Sequence, residues 1–114
     1  MDLLDKGQLA ALYDLAGQEA GSMVEGFVEA SRGTLRELEE LLHAGAAAEA
    51  GDLAHQLKGG AVTVGFAAFG QQAAAWETML REGRLPDPAE VATLLRLLED
   101  SLAEVQRILS EAAG

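Results

Sequence analysis

At 114 residues the chain has room for one domain, spanning 1–114, and can bury somewhat under about 70% of the surface it exposes when unfolded. Hydrophobic residues make up 49%, few of them aromatic, with two prolines and no cysteine; this favours an all-α fold and excludes disulfide frameworks, thiolate metal sites and cysteine nucleophiles. A net charge of −11 with only eight scattered basic residues argues against nucleic acid and anionic membrane surfaces as partners, and the acidity reads most simply as a solvated exterior.

The opening Met1–Asp5 has neither a positive n-region nor an apolar h-region, so no secretory signal is expected. Leu9, Leu12 and Leu15 then fall at helical spacing and predict a short helix over 6–16, ended by Gly17. Ser22-Met23-Val24-Glu25 has the form of a capping box, although Glu19 and Ala20 allow an earlier start. From Val24 the residues Phe27, Val28, Ser31, Leu35, Leu38, Leu41 and Leu42 recur every three or four positions. They predict a long amphipathic helix, wet on the side of Glu29, Arg32, Arg36, Glu37, Glu39 and Glu40, with Gly45 as its C-terminal cap.

A third helix is expected over about 46–64, bent or broken at Gly65. Phe66, Phe69, Ala73, Trp76 and Leu80 follow nearly as a heptad, predicting a helix over 66–82 that stops at Gly83. That spacing marks the aromatics as core packing rather than a cofactor box. Asp87-Pro88-Ala89-Glu90 is a start signal, with an N-cap, a proline at the first helical position and an acid three residues after the cap. The last helix is predicted to bury Val91, Leu94, Leu95, Leu98, Leu102, Val105, Ile108 and Leu109. These elements and their short connections predict an antiparallel four-helix bundle with a short additional N-terminal helix. The longest nearly uncharged run, Gly59–Glu77, falls short of the roughly 20 mainly apolar residues of a membrane span. No membrane insertion is expected, and the expected location is the cytoplasm.

The third helix carries the chemistry. Turned by about 100° per residue, it gathers Ala50, Leu53, Leu57, Ala61 and Val64 into one apolar stripe. His55 points away from that stripe, on the side of Asp52, Lys58, Gly59 and Val62. Helix-interior glycine costs about 1 kcal/mol against alanine, so the pair Gly59-Gly60 suggests that something large approaches this face. A buried core histidine conflicts with the helical phase, and an ornamental one leaves Lys58, Gly59, Gly60 and Gly65 unexplained. A reactive imidazole accounts for them: an unperturbed imidazole titrates near about 6.5 and in its neutral form is a nucleophile. Lys58, the one cation within a turn of it in sequence, could offset a phosphoryl charge. His43 sits near a helix C-terminus, where the dipole alone explains it, and the two histidines match no metal-ligand spacing. Lys58-Gly59-Gly60 is not a P-loop, and no other nucleotide motif is present.

The run His55-x-Leu57-Lys58-Gly59, followed by Gly65, resembles the histidine phosphotransfer (HPt) domain family. The likeness extends upstream through Gly51-Asp52 and Ala54, and downstream through Phe69 to Trp76-Glu77. Gly60 stands where relay-type members often have a small hydroxyl residue, and Phe69 where they often have leucine. Lys-Gly-Gly-Ala-x-Thr-x-Gly-Phe is closer to the front domain of chemotaxis-type histidine kinases, though Ala74 replaces the second histidine often found there. The resemblance implies phosphoryl carriage in a two-component phosphorelay, with His55 as phosphoacceptor, Lys58 as its cation and Glu77 as a hydrogen-bond acceptor for the imidazole. The implied partners are receiver domains of response regulators or hybrid histidine kinases. They would supply the Mg²⁺, while this chain, expected to be a monomer, binds no cofactor of its own. Asp52, Gln56, Gly59 and Val62 are the expected partner-binding set. Two alternatives stand beside this reading: the phosphoacceptor domain of a chemotaxis-type kinase, and a non-catalytic helical adaptor.

Overall fold

The computed structural model describes residues 2–113, and every regular element among them is helical. The order is α1 Lys6–Ala16, α2 Glu19–His43, α3 Ala47–Val64, α4 Ala67–Arg81 and α5 Val91–Ala113, the last entered through one 3-10 turn, Pro88–Glu90. Short connections make α2 to α5 the expected antiparallel bundle, and α1 lies against α2 and α3. No described helix is long and apolar enough to cross a membrane.

The predicted boundaries of α1, α3 and α4 agree to within a residue, and the start signal of α5 opens the 3-10 turn that leads into it, because these signals act locally. At the end of α3, Gly65 takes φ 74°, Phe66 donates its N–H back to the Ala61 carbonyl at 2.9 Å and Gly65 donates to Val62 at 3.4 Å. Gly65 has a second duty. A Cβ there would meet the Asp5 carbonyl at 2.9 Å and the Leu9 nitrogen at 3.2 Å. The N-terminal segment is hydrogen-bonded onto this corner through Asp5 N to Gly65 O, 2.8 Å, and Ala68 N to Leu3 O, 3.2 Å. The same glycine thus ends α3 and seats α1. At the start of α5, the Asp87 carboxylate accepts from the Ala89 N–H at 2.9 Å, as its position before Pro88 predicts.

Three expectations are corrected. α2 begins at Glu19, so Ser22 and Glu25 lie inside the helix and form no capping box. The turn at Gly17 leaves only a two-residue connection, and Ala20, fully buried, carries the apolar stripe of α2 back beyond Val24. Leu15, at the same spacing as Leu9 and Leu12, is 89% exposed, because α1 turns Leu9, Leu12, Tyr13 and Ala16 toward the bundle. On α5, Leu95 and Leu109 remain 39% and 40% exposed, while Leu102 and Ile108 are half-buried. The buried seam there runs Val91, Leu94, Leu98, Ser101, Val105, at alternating spacings of three and four. It passes through Ser101, whose hydroxyl is satisfied by the Leu97 carbonyl at 2.7 Å. A small polar residue can occupy a core position when its own helix accepts its proton.

Trp76, Phe66 and Phe69 are all buried, as their spacing predicts. Removing an indole from such a site costs about 3–5 kcal/mol. Phe27 of α2 meets Phe66 and Phe69 edge-to-face, with centroids 5.7 and 6.1 Å away. Its ring lies over α3 at Gly60, where a Cβ would come within 2.7 Å of Cδ1. Gly60 is therefore a packing residue, and only Gly59, whose Cβ would meet nothing within 4 Å, leaves open space on the outer face.

Candidate functional site

The outer face of α3 carries the predicted set. Ala50, Ala54, Leu57, Ala61 and Val64 are buried beneath it, with Leu53 half-buried at its edge. This fixes the roll of the helix and turns His55 outward, its side chain 63% exposed. Asp52, Gln56, Gly59 and Val62 are exposed around it and Lys58 is half-buried. His43, by contrast, is exposed at the end of α2 with no described partner.

α4 supplies the group that orients the ring. Trp76 is buried, so its neighbour Glu77 is carried to the flank of α4 that faces α3. Close approach of the two helices is set by small residues: a Cβ at Gly70 would already lie 3.1 Å from that of Ala61. Glu77 Oε2 then reaches His55 Nδ1 at 2.9 Å, with the Glu77 side chain only 17% exposed. A carboxylate only accepts, so Nδ1 donates and carries the ring proton. In the neutral ring, therefore, the lone pair available for attack is that of Nε2.

Two cations flank the same carboxylate. Lys58 Nζ stands 3.7 Å from Glu77 Oε1 and Arg81 Nη2 stands 3.6 Å from Oε2. Arg81 also donates from Nη1 to Asp52 Oδ1 at 2.9 Å. Its hydrogen bond to Asp52, helped by the Asp52 and Glu77 charges, raises the guanidinium further above its usual range. Arg81 is the residue that sequence reasoning missed, so Lys58 is not the only cation beside the imidazole. Its available signal was the i,i+4 pairing Glu77–Arg81 on one helix, combined with the small Gly51 opposite.

Beside this cluster, between α1, α3 and α4, runs an apolar groove of about 320 Å³, lined by Lys58, Val62, Phe66, Gly70, Ala74 and Gln8 among others. Val62, 64% exposed, forms its lip. Among the described residues no group of three or more His, Asp or Glu side chains is arranged to hold a metal ion. The arrangement joins an exposed imidazole, hydrogen-bonded at Nδ1, to a nearby lysine and an apolar groove. That combination suits phosphoryl transfer, which needs mainly positioning and charge neutralisation.

The family model described as Hpt domain matches residues 22–108. A crystal structure of histidine-containing phosphotransfer protein B (HptB) from Pseudomonas aeruginosa PAO1 is similar at 26% sequence identity and a TM-score of 0.75, over 96% of this chain and 93% of that one. No curated protein matches the sequence.

Proposed function

The chain belongs to the Hpt domain family and has a phosphorelay histidine-phosphotransfer function, and on that premise we propose that His55 is the residue that carries the phosphoryl group. The observation that carries this reading is the 2.9 Å contact from His55 Nδ1 to Glu77 on a ring 63% exposed. The Nε2 lone pair attacks the phosphorus of a receiver's aspartyl phosphate. The N–P bond forms, the acyl P–O bond breaks, and the aspartate leaves as a carboxylate with that electron pair. The ring, still protonated on Nδ1, is then formally cationic, and Glu77 offsets that charge. In the return direction the cationic ring is the better leaving group, so one hydrogen bond serves both transfers.

Lys58 supplies the moving charge. Its 3.7 Å ion contact with Glu77 is looser than a hydrogen bond, so little is lost when the ammonium turns to the phosphoryl oxygens. The receiver brings the Mg²⁺ and the acidic pocket, and this chain binds neither metal nor nucleotide. Docking spreads from His55 over Gln56, Gly59 and Val62 into the groove beside Phe66, with Asp52 at the opposite edge. The unit acting is the whole of 1–114, a cytoplasmic monomer, and its partners are receivers of response regulators or hybrid kinases.

The test is labelling. The protein is mixed with a panel of phosphorylated receivers, and parent, His55→Gln and His43→Gln are compared for acid-labile, base-stable phosphate. Parent and His43→Gln take label and His55→Gln takes none while keeping its helical circular dichroism. Label on His55→Gln refutes the assignment. Absence of label from every receiver, but labelling by a separate ATP-binding kinase domain, would make the domain a kinase's phosphoacceptor. Absence of label from either source would leave the adaptor.

A further inference from the structure

Arg81 ends α4, and a basic residue in a last turn is usually explained by the helix dipole. Its side chain does something else. It crosses to α3 over Gly51, a buried position where a Cβ would sit 3.3 Å from Nη1 and 3.5 Å from Cδ and Cζ. Any side chain at that position crowds the guanidinium, so the bare backbone of Gly51 forms the seat for Arg81. From there Nη1 is hydrogen-bonded to Asp52 at 2.9 Å, and Nη2 faces Glu77 Oε2, 3.6 Å away. Oε2 is the oxygen that accepts from His55. The fork of one arginine thus spans two acids from different helices, one of them the imidazole's own partner.

A charge problem makes this arrangement useful. In the resting protein Glu77 is flanked by Lys58 and Arg81. A phosphoryl group on Nε2 brings about −1.5 to −2 of charge close to Glu77 and draws Lys58 away. Glu77 then has one flanking cation fewer, and although the ring it holds is now cationic, the phosphoryl charge beyond that ring opposes the attraction and loosens the carboxylate from Nδ1. Arg81 cannot follow Lys58, because Asp52 holds it. We infer that Arg81 is a positioning residue: tethered by Asp52 across Gly51, it keeps the Glu77 carboxylate on His55 Nδ1 after Lys58 has turned to the phosphoryl group. This inference rests on His55 being the phosphoacceptor.

Its experiment reads the ring directly. Protein labelled with ¹⁵N-histidine is compared by NMR as parent, Arg81→Met, Arg81→Lys, Asp52→Ala and Arg84→Met. Arg84, paired with Glu82 at the end of α4, is the control. The parent shows His55 protonated on Nδ1. Arg81→Met keeps the aliphatic stem and loses the charge, so the Nε2-protonated tautomer rises and phosphate acceptance slows by about two- to fivefold, the range a half-exposed ion contact supports. Arg81→Lys, which has the charge without the fork, recovers part of both. Asp52→Ala leaves the resting tautomer near that of the parent but shortens the lifetime of phosphohistidine by a similar factor, because Arg81 is then free to leave Glu77. Arg84→Met matches the parent in every measurement. If Arg81→Met and Asp52→Ala also match it, the inference is overturned. The tautomer is read on unphosphorylated protein, so a failure here is distinct from a failure of His55 to accept phosphate.

Discussion

The adjacent glycines of α3 offer a test in which the backbone cost cancels. Gly59→Ala and Gly60→Ala both gain about 1 kcal/mol from helix propensity. At Gly59 nothing lies within 4 Å of the new methyl, so the gain is kept. At Gly60 the methyl would lie 2.7 Å from Phe27 Cδ1, and that ring is braced edge-to-face by Phe66 and Phe69. Forcing one extra carbon into such a contact costs about 1–3 kcal/mol. The difference between the two variants isolates this clash, and at roughly 3–6 °C per kcal/mol for a chain of this size it corresponds to about 3–18 °C in Tm. Thermal unfolding followed by circular dichroism measures it, with Gly59→Ala melting above the parent and Gly60→Ala well below its neighbour. Phosphotransfer gives the complementary readout. Gly59→Leu blocks the receiver and slows transfer by at least about tenfold, a cost of 1.4 kcal/mol or more, without loss of stability. Gly60→Ala, once folded, transfers like the parent. Equal Tm gains in the two alanine variants would refute the packing role of Gly60, and unimpaired transfer by Gly59→Leu would refute the docking role of Gly59.

Lys58→Ala slows transfer by an amount equivalent to about 1–3 kcal/mol at low salt, and the loss shrinks as salt screens it. Lys6→Ala, on α1, changes nothing, and equal losses in the two variants would mean that only net charge matters. Glu77→Ala should slow both directions of transfer by about tenfold or more, a charge-assisted hydrogen bond of about 1.5–3 kcal/mol being removed. Glu77→Gln, which keeps an acceptor oxygen, falls between it and the parent, and parent-like rates in both variants would sink the orienting role. The Glu99 carboxyl is held below its usual 4.5 by its hydrogen bond from Arg32, whose Nε lies 2.6 Å away. A depressed folded-state pKa contributes stability above the unfolded value and loses it as pH falls through the folded one. Glu99→Gln therefore flattens the acid limb of the stability curve below about pH 4.5, measured by urea unfolding across that range, and an unchanged limb would count against the pair.

Much of the fold was legible because its signals are local. Asp87-Pro88 and the glycines at 45, 65 and 83 each act within one turn of their own helix. What misled was apolar content without register. Leu15, Leu95 and Leu109 satisfy a loose three-or-four spacing yet remain exposed. A helix one seam wide buries only two positions per heptad, and Ser101 takes one of them because it is small. The start of α2 was obscured in the same way. Ser22-x-x-Glu25 has the right residue types, but whether a serine caps a helix depends on where the preceding turn lets that helix begin.

The site divides along the same line. His55, Lys58 and the open side of Gly59 share one helix, so their phase could be read from 3.6-residue periodicity alone. Glu77 entered through family resemblance, since nothing local says which α4 residue faces α3. Arg81 was missed because its i,i+4 spacing from Glu77 gains meaning only from the packing of α3 on α4, and Gly51 had no physical reason until the guanidinium seated on it was seen. Those four charges also resolve an apparent conflict. A chain of net charge −11 should repel a receiver whose pocket is itself acidic. Around His55, however, Asp52 and Glu77 are matched by Lys58 and Arg81, so the contact surface is locally neutral within an acidic exterior. At physiological ionic strength charges farther off than about 8 Å are largely screened, so a receiver docked over His55 as proposed would meet this neutral cluster rather than the net charge.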